Sequence, residues 1–178
     1  MIFKETALRG AFVVELDAHS DDRGFFARAF CVNEFEEHGL NTAVVQTNLS
    51  FNHAAGTVRG MHYQVAPATE TKFIRCVRGA ILDVIVDLRP DSPTFLQHIT
   101  VELDQDNRRA LFVPALFGHG YQTLANDSEV MYQVSAFYAP EFERGARYDD
   151  PAFGIDWPRP VRVISDKDLS WAPYQAGA

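Results

Sequence analysis

Many short segments of the chain alternate apolar and polar residues with a period of two, the pattern of β-strands with one buried face. The clearest is segment 80–88, which has aliphatic residues at every second position and Asp83 and Asp87 on the opposite face. Turns rich in proline, asparagine and aspartate separate these segments. The further predicted strands are 12–16, 24–32, 43–50, 57–64, 72–77, 98–103, 110–113, 119–124 and 130–138.

One short helix is predicted near the N-terminal third, at residues 34–38. Asn33 would be its N-cap, Glu36 would complete a capping box and Gly39 would end the helix. From residue 149 onward prolines prevent regular strands, and Trp157 is expected to pack this irregular tail against the body. Many short strands with so little helix predict an all-β fold, either a closed barrel or a two-sheet jelly roll. The length of 178 residues fits one domain, residues 1–178.

Composition and charge exclude several classes of function. The formal net charge of −8 argues against broad binding to nucleic acid or to an anionic membrane, although a local basic pocket for a phosphate stays compatible with it. Charged residues interrupt the apolar segment 1–16, and no other apolar run approaches the length of a membrane span, so neither a signal peptide nor a transmembrane helix is expected. We interpret Cys31 and Cys76 as reduced core thiols of a cytoplasmic protein.

Several predicted strands place polar side chains where the alternation directs them to the same side. The interior of a purely structural barrel is apolar, so this pattern predicts a polar cavity instead of a filled core. The residues that carry the pattern are Gln46, Asn48, Ser50, Arg59, His62, Lys72, His119 and Tyr132.

Four residues fit one chemistry, although each alone has a simpler explanation. His62 follows Gly60, and histidine is the residue type best suited to acid–base chemistry near neutral pH, but a hydrogen-bonded core histidine would give the same pattern. Lys72 stabilises an enolate oxygen if it points inward and reaches solvent if it does not. Tyr132 is either a proton donor across a substrate or a core tyrosine, and Asp168 is either the partner of His62 or part of a surface turn. Together they predict removal of a proton beside a carbonyl and its return on the opposite face.

Two arginines, Arg23 and Arg59, each precede a glycine. A guanidinium group pairs bidentately with phosphate, and glycine allows a close approach, so both are candidate phosphate ligands. Surface ion pairs are the alternative explanation for both.

A series of short motifs runs in order along nearly the whole chain. They are DRGFF at 22–26, QTNLS at 46–50, RGMHYQ at 59–64, DVIVDLR at 83–89, SPTF at 92–95, FGHG at 117–120, Asp150-Pro151, IDWP at 155–158 and Lys167-Asp168, with Lys72, Pro114, Tyr132 and Ser165 between them. Each motif is weak alone, but the ordered set is specific. It resembles the dTDP-4-dehydrorhamnose 3,5-epimerase family, whose members are cupin-like jelly-roll β-barrels.

The resemblance implies a catalytic role for four positions. His62 would take a proton from the sugar carbon beside the C4 ketone, and Asp168 would orient His62 and stabilise its charged form. Lys72 would stabilise the enolate oxygen. Tyr132 would deliver the new proton from the opposite face. The family needs no metal and no redox cofactor.

The resemblance also implies how the nucleoside-diphosphate 4-keto-6-deoxy sugar is held. Family members are homodimers that exchange N-terminal strands, so Arg23 and Phe26 would reach the partner's site. Many members carry glutamate where this chain has Arg28, near the nucleotide end of the site. The nucleotide is therefore dTDP by default, with another nucleoside diphosphate left open, and the motifs leave open whether C3, C5 or both are inverted. The implied substrate-binding residues are Arg23, Phe26, Arg28, Gln46, Asn48, Arg59, His119 and Tyr138.

Three other functions compete with this interpretation. A metal-dependent cupin, such as a dioxygenase or a sugar isomerase, would use His62, Glu70 and His119, but Gln64 stands where such sites carry a second histidine, which leaves the ligand set incomplete. A barrel that only binds a nucleotide sugar would have no use for the four catalytic candidates together. A relative within the family that inverts one centre, or moves the keto group, is the third.

Overall fold

The computed structural model describes residues 1–175, and strands dominate it. The strands are β1 (Ile2–Glu5), β2 (Phe12–Glu15), β3 (His19–Asp21), β4 (Gly24–Phe26), β5 (Gln46–Asn52), β6 (Val58–Gln64), β7 (Lys72–Arg78), β8 (Ala80–Asp87), β9 (His98–Asp104), β10 (Ala110–Val113), β11 (Phe117–Thr123), β12 (Ser128–Val134) and β13 (Glu143–Gly145). The helices are α1 (Val32–Glu37) and α2 (Asp166–Leu169), and Pro140–Phe142 form one 3-10 turn. No helix in this part of the chain is both long and apolar enough to cross a bilayer.

The strands form two facing antiparallel sheets. One has six strands in the order β1-β2-β10-β7-β12-β5, the other has five in the order β13-β6-β11-β8-β9, and β3 and β4 make a separate hairpin. Apolar side chains from both sheets, among them Ile74, Ile85 and Leu111, meet in a buried core between them. The predicted all-β jelly roll is confirmed, and the two sheets leave a cavity beside this core.

The predicted capping of the first helix is wrong. The helix begins at Val32 with Cys31 as its N-cap, the side chain of Cys31 makes no capping hydrogen bond, and Asn33 lies inside the first turn. Packing decides this position, because Phe35 is fully buried among the rings of Phe3 and Phe73. Gly39 follows the helix end with φ +68, as a left-handed terminator should.

Several predicted strand ends are also wrong. The segment predicted as strand 24–32 pairs only as far as Phe26, and strand 130–138 ends at Val134. After Val134 the chain turns toward the neighbouring strand, where the backbone N–H of Tyr138 donates to the side chain of Gln46 at 2.8 Å. Strands β1, β3 and β13 and helix α2 have no counterpart among the predicted elements.

Strand β8 is buried on both faces, although its alternating sequence is typical of a strand with one exposed face. Asp83 and Asp87 have no exposed surface. The aliphatic face of β8 is covered by the C-terminal tail, where Trp157 packs on the same cluster as Val84. The indole N–H of Trp157 donates to the carbonyl of Tyr148 at 2.8 Å, so Trp157 does hold the tail on the body.

Candidate active site

A polar cavity lies between the two sheets, near the C-terminal helix α2. It has two adjoining compartments of about 300 and 440 Å³, a size that suits a small ligand. The inner compartment is lined by Ser50, Arg59, His62, Lys72, His119, Tyr121, Tyr132, Ser165, Lys167 and Asp168. The outer compartment shares His62, Lys72, Tyr132 and Lys167 and adds Gln46, Asn48, Tyr63, Gln64, Glu70, Val134, Tyr138 and Glu143. The polar residues that the strand pattern directed inward thus line one cavity.

His62 and Asp168 form the shortest hydrogen bond between side chains that line the inner compartment. The Nε2 atom of His62 lies 2.5 Å from Oδ1 of Asp168, which is only 3 % exposed. The other carboxylate oxygen accepts the backbone N–H of Gly60 at 3.3 Å. Burial alone would raise the pKa of Asp168, but its hydrogen bond to His62, the charge of His62 and the Gly60 N–H together lower that pKa. An ionised Asp168 accepts from Nε2–H, and this leaves Nδ1 of His62 as the nitrogen free to take a proton.

A β-bulge directs both Arg59 and His62 to the cavity although they are three residues apart. His62 pairs with His119 and Arg59 pairs with Tyr121, so Gly60 and Met61 together face the single residue Gly120. Gly60 has φ +126, and a Cβ there would lie 2.5 Å from the Cα of Gly120. Only glycine fits this close approach of β6 to β11.

Lys72 lies in the cavity wall, and most of its side chain is buried. Its side chain is 11 % exposed and makes an ion pair with Glu70, whose side chain is 10 % exposed. The three residues that a metal-dependent cupin would use are engaged separately, because Glu70 pairs with Lys72, His62 with Asp168 and His119 with Asp83. Within residues 1–175, no group of histidine, cysteine, aspartate and glutamate side chains is arranged to hold a metal ion.

Tyr132 keeps its proton at neutral pH. Burial raises its pKa, and the nearby charge of Glu70 raises it further. Its strand β12 belongs to the six-stranded sheet, whereas His62 is on β6 of the five-stranded sheet. A potential acid and a potential base therefore line the same compartment from opposite sheets.

The strand pattern missed several side chains that complete the cavity. Asp83 accepts from Nε2 of His119 at 2.7 Å. Glu143 makes an ion pair with Lys167 at 2.7 Å and accepts the hydroxyl of Tyr138 at 2.8 Å. The strand pattern gave no reason to select Asp83, because no cavity candidate lay on the same face of its predicted strand. Glu143 was missed because its strand β13 is too short to show a period. For Lys167, its position next to the candidate residue Asp168 was the one sequence feature that pointed to the cavity.

Three of the implied substrate-binding residues do not line the cavity of their own chain. Arg23 makes an ion pair with Asp21 at 2.5 Å on the exposed β3–β4 hairpin. Phe26, at the end of the same hairpin, is 76 % exposed. The guanidinium of Arg28 makes an ion pair with Glu34 at 2.8 Å.

Comparisons with known proteins find close similarity in sequence and in fold. The family model described as dTDP-4-dehydrorhamnose 3,5-epimerase matches residues 5–176. The dTDP-4-dehydrorhamnose 3,5-epimerase of Sinorhizobium fredii is 40% identical over 171 residues, which cover 96% of this chain and 88% of that protein. The crystal structure of the Bacillus anthracis enzyme of the same name, with TDP and PPi bound, superposes with a TM-score of 0.94 at 40% identity, covering 97% of this chain and 99% of that one. A 3′-monoepimerase from Streptomyces bikiniensis in complex with dTDP-quinovose superposes with a TM-score of 0.85 at 36% identity, covering 92% of this chain and 83% of that one.

Proposed function

Because the chain belongs to the dTDP-4-dehydrorhamnose 3,5-epimerase family, we propose that it inverts carbon centres beside the C4 ketone of a dTDP-linked 4-keto-6-deoxy sugar. The chain is thus an isomerase that moves protons without a net change of oxidation state. The observation that carries the proposal is the placement of His62 and Tyr132 on opposite sheets around one compartment. Inversion at carbon requires a base on one face of the sugar ring and an acid on the other.

The proposed reaction begins with proton removal by His62. Its Nδ1 atom takes the proton from C3 or C5, the C–H electron pair moves into the ring, and the ketone oxygen becomes an enolate. Asp168 then balances the positive charge on the imidazole ring. The ammonium group of Lys72 stabilises the enolate oxygen, a contribution of about 3 kcal/mol for one preorganised donor.

Reprotonation from the other face completes the inversion. Tyr132 gives its hydroxyl proton to the carbon, the ketone reforms, and the centre has the opposite configuration. The raised pKa of Tyr132 keeps this proton in place until the enolate, a stronger base, is present. Proton return from solvent to Tyr132 and from His62 to solvent restores the enzyme.

We propose that the outer compartment holds the nucleotide. Gln46, Asn48 and Tyr138 line it. Arg59 lines the adjoining inner compartment, and its Nε–H donates to the side chain of Asn52 at 2.8 Å. Arg59 therefore presents its remaining N–H groups in a set direction, which suits a diphosphate. His119, held by Asp83, supports the sugar from the inner compartment.

We further propose a homodimer in which the N-terminal arms are exchanged. Two features support it. The β3–β4 hairpin exposes Phe25 and Phe26, at 46 % and 76 %, and β5 exposes Leu49 at 64 %. Arg23 and Phe26 also lie outside the cavity of their own chain, so they would serve the partner's cavity, with Arg28 near its nucleotide end.

We propose the cytoplasm as the working compartment. Both thiols, Cys31 and Cys76, are unpaired. Burial raises the pKa of Cys76 to about 11, so this thiol stays protonated and unreactive. A free, unreactive thiol is compatible with a reducing compartment. Fractionation of the source cells tests the location directly.

The decisive experiment is proton NMR of dTDP-4-keto-6-deoxyglucose with the protein in heavy water. We expect deuterium to enter at C3, at C5 or at both, and the exchanging positions identify the centres that are inverted. The His62→Ala variant should lose this exchange while still folding. A barrel that only binds the nucleotide sugar would leave both positions unlabelled, and unchanged exchange in the His62→Ala variant would refute His62 as the base.

A further inference from the structure

The indole ring of Trp171 lies against the bare backbone of Gly145. A Cβ placed on Gly145 would come within 2.5 Å of Cδ2 of Trp171, and closer still to Cε2. Gly145 lies in strand β13 and has no positive φ, so its glycine is explained by space and not by backbone conformation. The glycine is therefore a docking surface for Trp171.

This docking surface is directly beside the proposed base. Gly145 and His62 are paired residues of strands β13 and β6. The rings of Trp171 and His62 meet edge to face with their centroids 6.5 Å apart. Trp171 thus packs on the strand that borders His62 and on the imidazole ring itself.

The same strand holds the C-terminal segment at a second point. Glu143 precedes Gly145 by two residues, so both point to one side of β13. Glu143 makes an ion pair with Lys167 at 2.7 Å, and the ammonium group of Lys167 lies 5.9 Å from the centre of the Trp171 ring. These two attachments stand on either side of Asp168 in the sequence.

Asp168 depends on such attachments because its helix is very short. Helix α2 has four residues, and a helix of that length has no stability of its own in water. Its N-cap, the side chain of Ser165, fixes only the start of the helix by accepting the Asp168 N–H at 3.1 Å. The direction of the Asp168 carboxylate is then set by tertiary contacts.

We propose that Trp171 is a positioning residue, which by packing on Gly145 fixes α2 so that Asp168 meets Nε2 of His62. This inference rests on the proposed function, in which His62 is the base. Trp171 does not line either compartment, so it acts through Asp168 and not on the sugar. Its indole N–H is buried and has no hydrogen-bond partner within residues 1–175, so the interaction is one of packing.

The test compares the variants Trp171→Ala, Trp171→Phe and Gly145→Ala in the heavy-water exchange assay. Because a misplaced catalytic group costs rate and not substrate binding, we expect Trp171→Ala to lower kcat by about 10-fold to 100-fold with KM changed by less than about 3-fold. Phenylalanine keeps a flat ring without the unused N–H, so Trp171→Phe should recover most of kcat. Gly145→Ala should lower kcat as Trp171→Ala does, because the added methyl displaces the ring.

A double-mutant cycle separates positioning from general stability. In the Asp168→Asn background the pair that Trp171 aligns is already impaired, so adding Trp171→Ala should cost little further rate. Circular dichroism confirms that each variant is folded. If wild type exchanges and Trp171→Ala exchanges equally fast, or loses the same factor with and without Asp168, the inference is wrong. If wild type itself shows no exchange, the proposed function fails instead.

Discussion

Two histidines of the cavity each bind a buried carboxylate, but the two carboxylates differ in their surroundings. His62 and His119 are paired residues of β6 and β11. Asp168, the partner of His62, also accepts a backbone N–H from Gly60. Asp83, the partner of His119, has a second carboxylate oxygen that is buried without a hydrogen-bond partner in the described part of the chain. The better-satisfied carboxylate stands behind the histidine that we propose as the base, where a positive charge must form.

The hydroxyl of Tyr132 is the proposed acid, and the Tyr132→Phe variant tests this role. Removing the hydroxyl removes the proposed acid and leaves His62, Asp168 and Lys72 in place. We expect proton abstraction to continue, so deuterium still enters the substrate, while net inversion falls strongly. Heavy-water NMR combined with stereochemical assignment of the product checks both quantities. Wild-type rates of inversion in this variant would show that another group delivers the proton.

Asp87 is a buried carboxylate whose ionisation makes the stability of the fold depend on pH. Burial would raise its pKa, but hydrogen bonds from Arg89, Ser92 and Thr94 outweigh burial and lower the pKa to about 2. A lowered pKa stabilises the folded state above the ordinary value near 4, and this stabilisation, about 2 kcal/mol, is lost as pH falls toward 2. Urea unfolding should show that Asp87→Asn is less stable than wild type at pH 7.

The same measurement in acid supplies the check on Asp87. The difference in unfolding free energy between wild type and Asp87→Asn should shrink steadily as the pH is lowered from about 4 toward 2. Protonation then makes the Asp87 side chain uncharged, as asparagine is at every pH. A difference that is constant across this pH range would mean that hydrogen-bond geometry, and not the charge of Asp87, provides the stabilisation.

At the scale of elements, the bulge in β6 determines which side chains enter the cavity. Gly60→Ala would put a methyl group against Gly120 while forcing a non-glycine residue to φ +126. We expect a loss of about 1–3 kcal/mol in unfolding free energy from the strained backbone, and more from the collision. The exchange activity should fall further than stability alone explains, because β6 would move away from β11 and shift His62.

The matched control for this prediction is Gly24→Ala. Gly24 has the same φ of +126, but a Cβ there meets no atom of residues 1–175 of its own chain within 4 Å. Urea unfolding of the two variants therefore separates backbone strain from the collision. Equal losses of stability in the two variants would show that the close approach of β6 to β11 has no energetic weight.

Sequence patterns located the long elements better than the short ones. The seven-residue strand β7 and the eight-residue strand β8 were each predicted with an error of one residue. Among the short strands, β10 was predicted with its observed ends, 110–113. The three-residue strand β13 and the four-residue helix α2 were missed. β13 and α2 are too short to show a period, and they form because neighbouring segments supply their hydrogen bonds and packing. The equally short β10 was found because its four residues are a continuous apolar run. These two missed elements carry Glu143, Lys167 and Asp168.

At the scale of the whole molecule, the exchanged-arm dimer makes a quantitative prediction. Arg23→Ala and His62→Ala should each be inactive as pure variants. If Arg23 serves the partner's cavity, a heterodimer of the two contains one intact site, formed by His62 of one chain and Arg23 of the other. Dissociating and remixing equal amounts should therefore restore about a quarter of the wild-type activity.

The control is to remix each variant with itself, which should restore nothing. If Arg23 instead serves its own chain, no heterodimer contains an intact site and the mixture also stays inactive. Size-exclusion chromatography with light scattering shows whether dimers form at all. A monomeric protein with full activity would overturn both the dimer and the exchanged arm.

The sequence by itself determined the class of fold and most of the cavity wall. Period-two alternation is a local property, since neighbouring side chains of a strand point to opposite faces, and it accounts for most of the eight polar residues in the cavity. Arg59 and His62 are three residues apart and both face the cavity because of the bulge in β6. The family followed from motifs that are also local, each a few residues long.

Only the tertiary structure decided which of these residues act together. His62 and Asp168 are 106 positions apart, and His119 and Asp83 are 36 apart. No periodicity records such pairs, because they arise when two sheets and a tail fold onto one another. The same holds for the docking of Trp171 on Gly145, which depends on the space between two segments. Local pattern specifies where a side chain points, and packing across the molecule specifies what it meets.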